Sequence, residues 1–352
     1  NCISTEKLRD IGKFITTYCD EYKIANISVQ AWGGEPLLEK NKIIALTKFI
    51  TPQKTKVHYS IETNATLLTN DVIEELYKNH IGIGISIDGD RKCHDLQRTF
   101  VSGKGSYDTV KKNLLQAQRY YKNKIGTITT ITKQTAVHIE KIIEHLVLDL
   151  HISNIKLNFV HASTYTHGQN QCLNTQEIAD TELCILYKII ELQERGYDVM
   201  EHNIFIKLKN LLFREYADIC LSCGCCGGKK MIVFDMDGNI YPCELTDDAS
   251  FVIGSIYKKE SLIEQIKMTI DKDKAFFKMK KAVECEKCYW KFFCRGGCTV
   301  RALSEKRQME VIDIDHIECA INQVLYPALM ELVLRKPHIV NQMLGEDLLV
   351  DE

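Results

Sequence analysis

Ten of the fifteen cysteines fall between Cys220 and Cys319, and their spacing limits what the last third of the chain can become. The run reads Cys220-x2-Cys223-x-Cys225-Cys226, then Gly238-x4-Cys243, then Cys285-x2-Cys288-x5-Cys294-x3-Cys298, and last Cys319. Thiolates two to five residues apart can converge on one centre, because the intervening turn lets both sulfurs face inward. The pattern points to bound metal. Spacing alone leaves zinc and iron–sulfur both open, since four-cysteine zinc ribbons use similar intervals. A disulfide framework is a third reading, but fifteen cysteines in 352 residues is below the density of a secreted disulfide scaffold.

The rest of the composition fits reduced thiols. No signal-peptide pattern opens the chain and no apolar run reaches membrane-spanning length, so a cytoplasmic protein is expected, with no membrane partner. A formal net charge of -2 gives no global field to attract nucleic acid. At 352 residues and 45% hydrophobic content, the chain is expected to form one large domain and a smaller one.

Along the first two hundred residues, helix and strand patterns alternate. Ser4 or Thr5 caps a helix with Leu8, Ile11, Phe14 and Ile15 at helical spacing. Strands are expected at 27–32, 57–61, 83–87, 125–132 and 155–160, and further helices at 40–50, 70–77, 106–121, 137–146 and 175–193. Crossovers of this length permit parallel pairing, which means an α/β barrel or a doubly wound sheet. A βα series that opens on a helix lacks its first strand, so the sequence reads as truncated at its N-terminus.

Residues that break the apolar pattern gather where these strands end. Gly33-Gly34-Glu35-Pro36 follows the first, Glu62-Thr63-Asn64 ends the second and Ser86-Ile87-Asp88-Gly89 ends the third. Ligands of barrels and open α/β sheets bind at that edge, and glycine there lets a ligand approach the backbone. A single Gly-Gly or Asp-Gly is more often an ordinary turn; three at consecutive strand ends favour a site. The polar loop 161–171 has no assigned role. Apolar runs at 232–234 and 240–241 flank Asp237-Gly238-Asn239, a hairpin signal that would set Cys243 beside the Cys220–Cys226 group. Trp290, Phe292 and Phe293 lie between cysteines, either shielding a metal or forming the core of a small domain.

Gly33-Gly34-Glu35-Pro36, the Asn64 strand end, Ser86–Gly89 with His94-Asp95-x-x-Arg98, and the terminal cysteine series together resemble radical SAM enzymes with a SPASM domain. The resemblance runs over nearly the whole chain. Its nearest subgroup is the maturases of ribosomally made peptides, with anaerobic sulfatase-maturing enzymes as relatives. It implies a partial (β/α)6 barrel over 1–200, a SPASM domain over 215–325 and a C-terminal helix or tail over 326–352. It favours two auxiliary [4Fe–4S] clusters over zinc, the first on Cys220, Cys226, Cys243 and Cys298, the second on Cys285, Cys288, Cys294 and Cys319. Cys223 or Cys225 is the alternative to Cys226. The backbone of Gly33, Gly34, Glu35 and Pro36 would hold the methionine amino group of S-adenosylmethionine. Asn64, Ser86 and Arg98 would line its ribose and carboxylate side, with Asp88 a further candidate.

The chain departs from the family at one point. Radical SAM chemistry uses a CxxxCxxC loop to bind a third [4Fe–4S] cluster, and the 352 residues contain no such motif. The expectation is that the motif lies upstream of Asn1; the alternative is a degenerate relative. Two functions follow. One is a peptide maturase that abstracts hydrogen and installs a crosslink, typically a thioether, on a small Cys-rich precursor peptide. Its electron donor would be of the flavodoxin or ferredoxin kind. The other is a non-catalytic peptide-binding scaffold. Within the enzyme reading, formylglycine formation on a sulfatase is the alternative. The sulfatase enzymes place an Asp after the hairpin cysteine, where this chain has Glu244 as a candidate base.

Overall fold

The computed structural model describes residues 2–122, 124–161, 171–214, 220, 225–246, 249–271, 283–304 and 314–345. Most of the polar loop 161–171, and Cys223, lie outside the described residues. Six strands form one sheet in sequence order: β1 (Asn26–Ala31), β2 (Lys56–Thr63), β3 (Ile81–Ser86), β4 (Gly126–Ile131), β5 (Asn154–Phe159) and β6 (Met200–Glu201). β1 pairs with β2, β4 with β5 and β5 with β6, each in parallel. This is the α/β architecture expected from the alternation. All five expected strands are present within a few residues, and β6 adds a sixth.

β6 is too short to show a period-two pattern. It stops after two residues, and side chains take over its pairing: Glu201 Oε1 accepts from Leu157 N at 2.9 Å, and Asn203 Nδ2 donates to Leu157 O at 2.7 Å. Glu201 also caps the next helix (His202–Phe213) by accepting from Ile204 N at 2.8 Å. Burial pushes its carboxyl up to about 7, although the backbone donors pull the other way.

The chain divides into two compact units, residues 1–84 with 226–279, and residues 85–225 with 280–352. The first contains α1 (Thr5–Glu21), capped as expected by Ser4, whose side chain accepts from Lys7 N at 3.1 Å. It packs closely on α2 (Lys40–Phe49): a Cβ on Gly12 would lie 2.6 Å from Phe49 Cβ. The hairpin of this unit is β7 (Val233–Phe234) and β8 (Asn239–Tyr241), extended by β9 (Gly254–Ser255) into an antiparallel sheet. Asp235 Oδ1 accepts from Asp237 N and Asn239 N, both at 2.8 Å, and Gly238 turns the chain at φ +81°. Phe14 of α1 meets Phe234 edge-on at 5.9 Å, and with Tyr18 joins Ile240, Ile253 and Leu262 in one apolar cluster.

The second unit carries α3 (Arg91–Gln97), α4 (Tyr107–Tyr121), α5 (Thr175–Glu194), whose capping box is Asn174 and Glu177, and the helix 202–213. It also holds Val283–Lys287, Lys291–Cys294, Thr299–Ser304, His316–Arg335 and Pro337–Leu344. The helix 316–335 corrects one expectation, because it is long and apolar enough to cross a membrane by length and composition. The sequence hides this because Glu318, Asn322 and Pro327 interrupt the apolar run. In the fold the helix packs along α5, with Leu325, Tyr326, Leu329 and Leu332 buried.

Candidate functional site

In the first unit, the Gly33–Pro36 loop is held by its own acid. Glu35 Oε1 accepts from Leu37 N at 3.0 Å and from Thr63 Oγ1 at 2.7 Å, and Oε2 accepts from Asn64 N at 2.8 Å. One carboxylate therefore caps the turn that Pro36 opens and ties the end of β1 to the end of β2. Gly33 and Gly34 are exposed, and a Cβ on either would meet no atom within 4 Å. Bare peptide thus faces open space, as a ligand requiring backbone contact needs. Asn64 joins the loop through its backbone; its Oδ1 accepts from Thr66 N at 2.9 Å and Thr66 Oγ1 at 2.7 Å. Trp32, Leu38 and Leu67 rim this edge, 59%, 72% and 40% exposed.

In the second unit, Ser86 ends β3, and Asp88 just beyond it is buried. Arg98 Nε donates to Asp88 Oδ2 at 2.6 Å, and Gln97 Nε2 to the same oxygen at 2.9 Å. Thr130 N donates to Asp88 Oδ1 at 2.9 Å, so the end of β4 is tied to the same carboxylate. The planar fork that the resemblance assigned to a ligand carboxylate is thus engaged by Asp88. His94 fixes the same loop: its Nδ1 accepts from Asp88 N at 3.2 Å, and its Nε2 lies 2.9 Å from Ser106 Oγ. Burial pushes its pKa down to about 4, and the neutral ring can accept. These partners give Asp88 and Arg98 a positioning role that the spacing did not reveal.

The cysteines separate between the units. Cys226 and Cys243 are buried in the first, where Gly228 N donates to Pro242 O at 3.1 Å and sets the two segments side by side, as the hairpin reading expects. Glu244, next in sequence, is half-buried and has no hydrogen-bond or ion-pair partner among the described residues. Cys220, Cys225 and Cys298 belong to the second unit.

All four cysteines of the second proposed cluster lie in the second unit. Burial, then the neighbouring Cys285 and Cys288, push the Cys319 thiol up. Burial and the Glu318 carboxylate push Cys294 up to about 11, a cost that a bound cation reverses by deprotonating the thiol. Among the described residues no three His, Cys, Asp or Glu side chains are close enough to hold one metal ion. Zinc would need its four thiolates 2.3 Å from a single centre, whereas a four-iron core is wider. Cys285 also borders an open hollow of about 620 Å³ lined by Glu286, Lys291, Phe292 and Arg295.

The aromatic residues between the cysteines are divided. Trp290 stacks on Tyr326 at 5.3 Å and Phe293 packs on the same ring, while Phe292 is 69% exposed. Trp290 and Phe293 are half-buried against the fully buried Tyr326.

Around these cysteines runs a buried polar network with no sequence signature. Asp315 Oδ2 accepts from Cys298 N at 2.7 Å and from Arg301 Nη2 at 2.7 Å. Arg301 also reaches Glu318 at 3.3 Å, and the other oxygen of Glu318 takes Lys207, a lysine 1% exposed. Lys207 lies 115 residues from its further partner Asn322, whose Oδ1 accepts at 2.6 Å. Pairs that distant leave no trace in local periodicity.

Residues 6–146 match the family model described as Radical SAM superfamily. The cysteine-type anaerobic sulfatase-maturating enzyme of Clostridium novyi (strain NT) is 26% identical over 276 residues, 76% of this chain and 71% of that protein. The solved structure of native anSMEcpe with bound AdoMet and Cp18Cys peptide superimposes with a TM-score of 0.80 at 21% identity, covering 98% of this chain and 92% of that one. Streptococcus suis SuiB bound to precursor peptide SuiA gives 0.61 at 17% identity, covering 90% and 70%. At these identities the structural likenesses show the fold.

Proposed function

From the match of residues 6–146 to the radical SAM family model, we propose that the chain modifies a ribosomally made peptide by radical chemistry, installing a crosslink such as a thioether. The observation that carries this is the Gly33–Gly34 backbone, held open at the end of β1 by the Glu35 carboxylate. We assign S-adenosylmethionine to that backbone. Bound and reduced by one electron at a four-iron cluster, it supplies a 5′-deoxyadenosyl radical that removes hydrogen from carbon. Glu35 keeps the loop in its binding shape, and Asn64 extends the same edge. Ser86 stands at the corresponding end of β3, and Asp88 and Arg98 brace the loop that follows. The 352 residues supply no CxxxCxxC, so none of them is assigned to the third cluster.

A thioether forms when the peptide loses a hydrogen atom from carbon and a proton and an electron from a cysteine thiol. Glu244, half-buried and without an ionic partner among the described residues, is our candidate to take the proton. The auxiliary [4Fe–4S] site proposed on Cys285, Cys288, Cys294 and Cys319 is our candidate to take the electron. A flavodoxin or ferredoxin would serve as donor, in the cytoplasm.

A second reading is formylglycine formation on a sulfatase cysteine or serine. The Clostridium novyi relative carries that name, and Glu244 occupies the position after the hairpin cysteine. Anaerobic incubation with a Cys-rich peptide encoded beside the gene, and separately with a Cys-containing sulfatase peptide, decides by mass spectrometry. Loss of two hydrogens from the first peptide supports the crosslink. Exchange of side-chain sulfur for a carbonyl oxygen in the second supports the alternative. Tight peptide binding with no mass change would point to the scaffold.

A further inference from the structure

We propose that Gln323, one turn beyond Cys319, donates an N–H···S hydrogen bond to the Cys288 thiolate of the second auxiliary cluster and raises that cluster's reduction potential. The inference rests on the assignment of Cys285, Cys288, Cys294 and Cys319 to one four-iron cluster.

Gln323 Nε2 donates to Cys288 Sγ at 3.5 Å. It reaches that sulfur from the helix His316–Arg335, which carries Cys319 in its first turn and Gln323 four residues later on the same face. The helix start is fixed by Asp315, which accepts from Glu318 N at 3.2 Å while accepting from Cys298 N at 2.7 Å. The donor therefore shares one rigid mount with a ligand.

Asn322, the neighbouring amide, is 2% exposed and held within the polar network: its Oδ1 accepts from Lys207 Nζ at 2.6 Å and its NH2 group donates to Glu318 Oε1 at 3.1 Å. Gln323 is exposed, so its contribution is modest.

The expected effect follows from charge. Reduction adds an electron to an already anionic cluster, and N–H donors aimed at its sulfurs favour the reduced form. Removing a donor should lower the potential without removing a ligand. The test uses the protein from its whole open reading frame, reconstituted anaerobically, with Gln323→Leu compared with the parent. Iron per chain is measured first, then auxiliary-cluster potentials by dithionite titration followed by electron paramagnetic resonance. Gln323→Leu should keep its iron and lower one potential by a threefold to tenfold change in the reduction equilibrium, about 30 to 60 mV for one electron. Unchanged potentials with full iron would overturn the proposal, and so would loss of the cluster from Gln323→Leu, which would make that residue part of the scaffold. A parent with no second four-iron cluster fails the underlying cysteine assignment instead, and is recognised before any variant is compared.

Discussion

Replacing Glu182 by Gln should stabilise the second unit, and increasingly so as the pH rises. Glu182 lies on α5, 5% exposed, with Glu201 and Glu318 nearby and Lys207 opposing them. Burial, then the Glu201 charge, pushes its carboxyl up to about 8 from an ordinary 4.5. The folded state keeps a proton that the unfolded chain has released, so stability falls as pH rises through that window. Each pH unit contributes about 1.4 kcal/mol, so the whole window is worth at most about 5 kcal/mol and the part from pH 6 to 8 about 3 kcal/mol. For a unit of roughly 200 residues this corresponds to about 6–12 °C in melting midpoint. Glu201, pushed up to about 7, contributes in the same direction, and because the two carboxyls interact the difference between the proteins reports Glu182 together with its coupling to Glu201. Thermal melts of the anaerobically loaded parent and Glu182→Gln, recorded at pH 6 and 8, should diverge by that amount. Parallel shifts in the two proteins would refute the reasoning and show that Glu182 finds a counter-charge when ionised.

Gly34→Val should weaken S-adenosylmethionine binding at least tenfold in equilibrium dialysis, because it puts a branched side chain into the open space beside the peptide; equal affinity would place the ligand elsewhere. Arg98→Ala should lose about 3 kcal/mol in denaturant unfolding, since it leaves the buried Asp88 carboxylate without its cation; a change below 1 kcal/mol would mean that Gln97 and Thr130 suffice. Gly12→Ala should lose about 1–3 kcal/mol, because its Cβ meets Phe49 Cβ at 2.6 Å and Phe49 O at 2.9 Å. Cys288→Ala should reduce iron per chain and Cys93→Ala should not, as Cys93 is a buried thiol that burial pushes up to about 11; equal losses would contradict the ligand assignment.

The parts of this molecule that were legible in sequence are those set by local rules. Ser4 is followed by an apolar helical stripe, and Asp237-Gly238 sits between apolar pairs, so the first helix and the hairpin were readable within a few residues. The strand-end glycines were readable as a candidate site because no apolar core needs them. β6 escaped because Glu201 and Asn203 side chains replace its backbone pairing. The first ten residues of the helix 316–335, ahead of the C-terminal helix or tail expected from 326, escaped because Glu318 and Asn322 break the apolar run, and their partner Lys207 lies more than a hundred residues away. The Asp88–Arg98 ion pair was not legible for a related reason: spacing shows that an arginine is near a strand end, not which carboxylate it pairs with.

The central claim is that this chain belongs to an enzyme that cleaves S-adenosylmethionine to act on a peptide. The most direct measurement is chromatographic quantitation of 5′-deoxyadenosine from the protein of the whole open reading frame, anaerobically reconstituted and supplied with S-adenosylmethionine and dithionite. The account predicts 5′-deoxyadenosine accumulating with time, and its loss in Gly34→Val while iron content is retained. No 5′-deoxyadenosine from a protein that holds its clusters would contradict it.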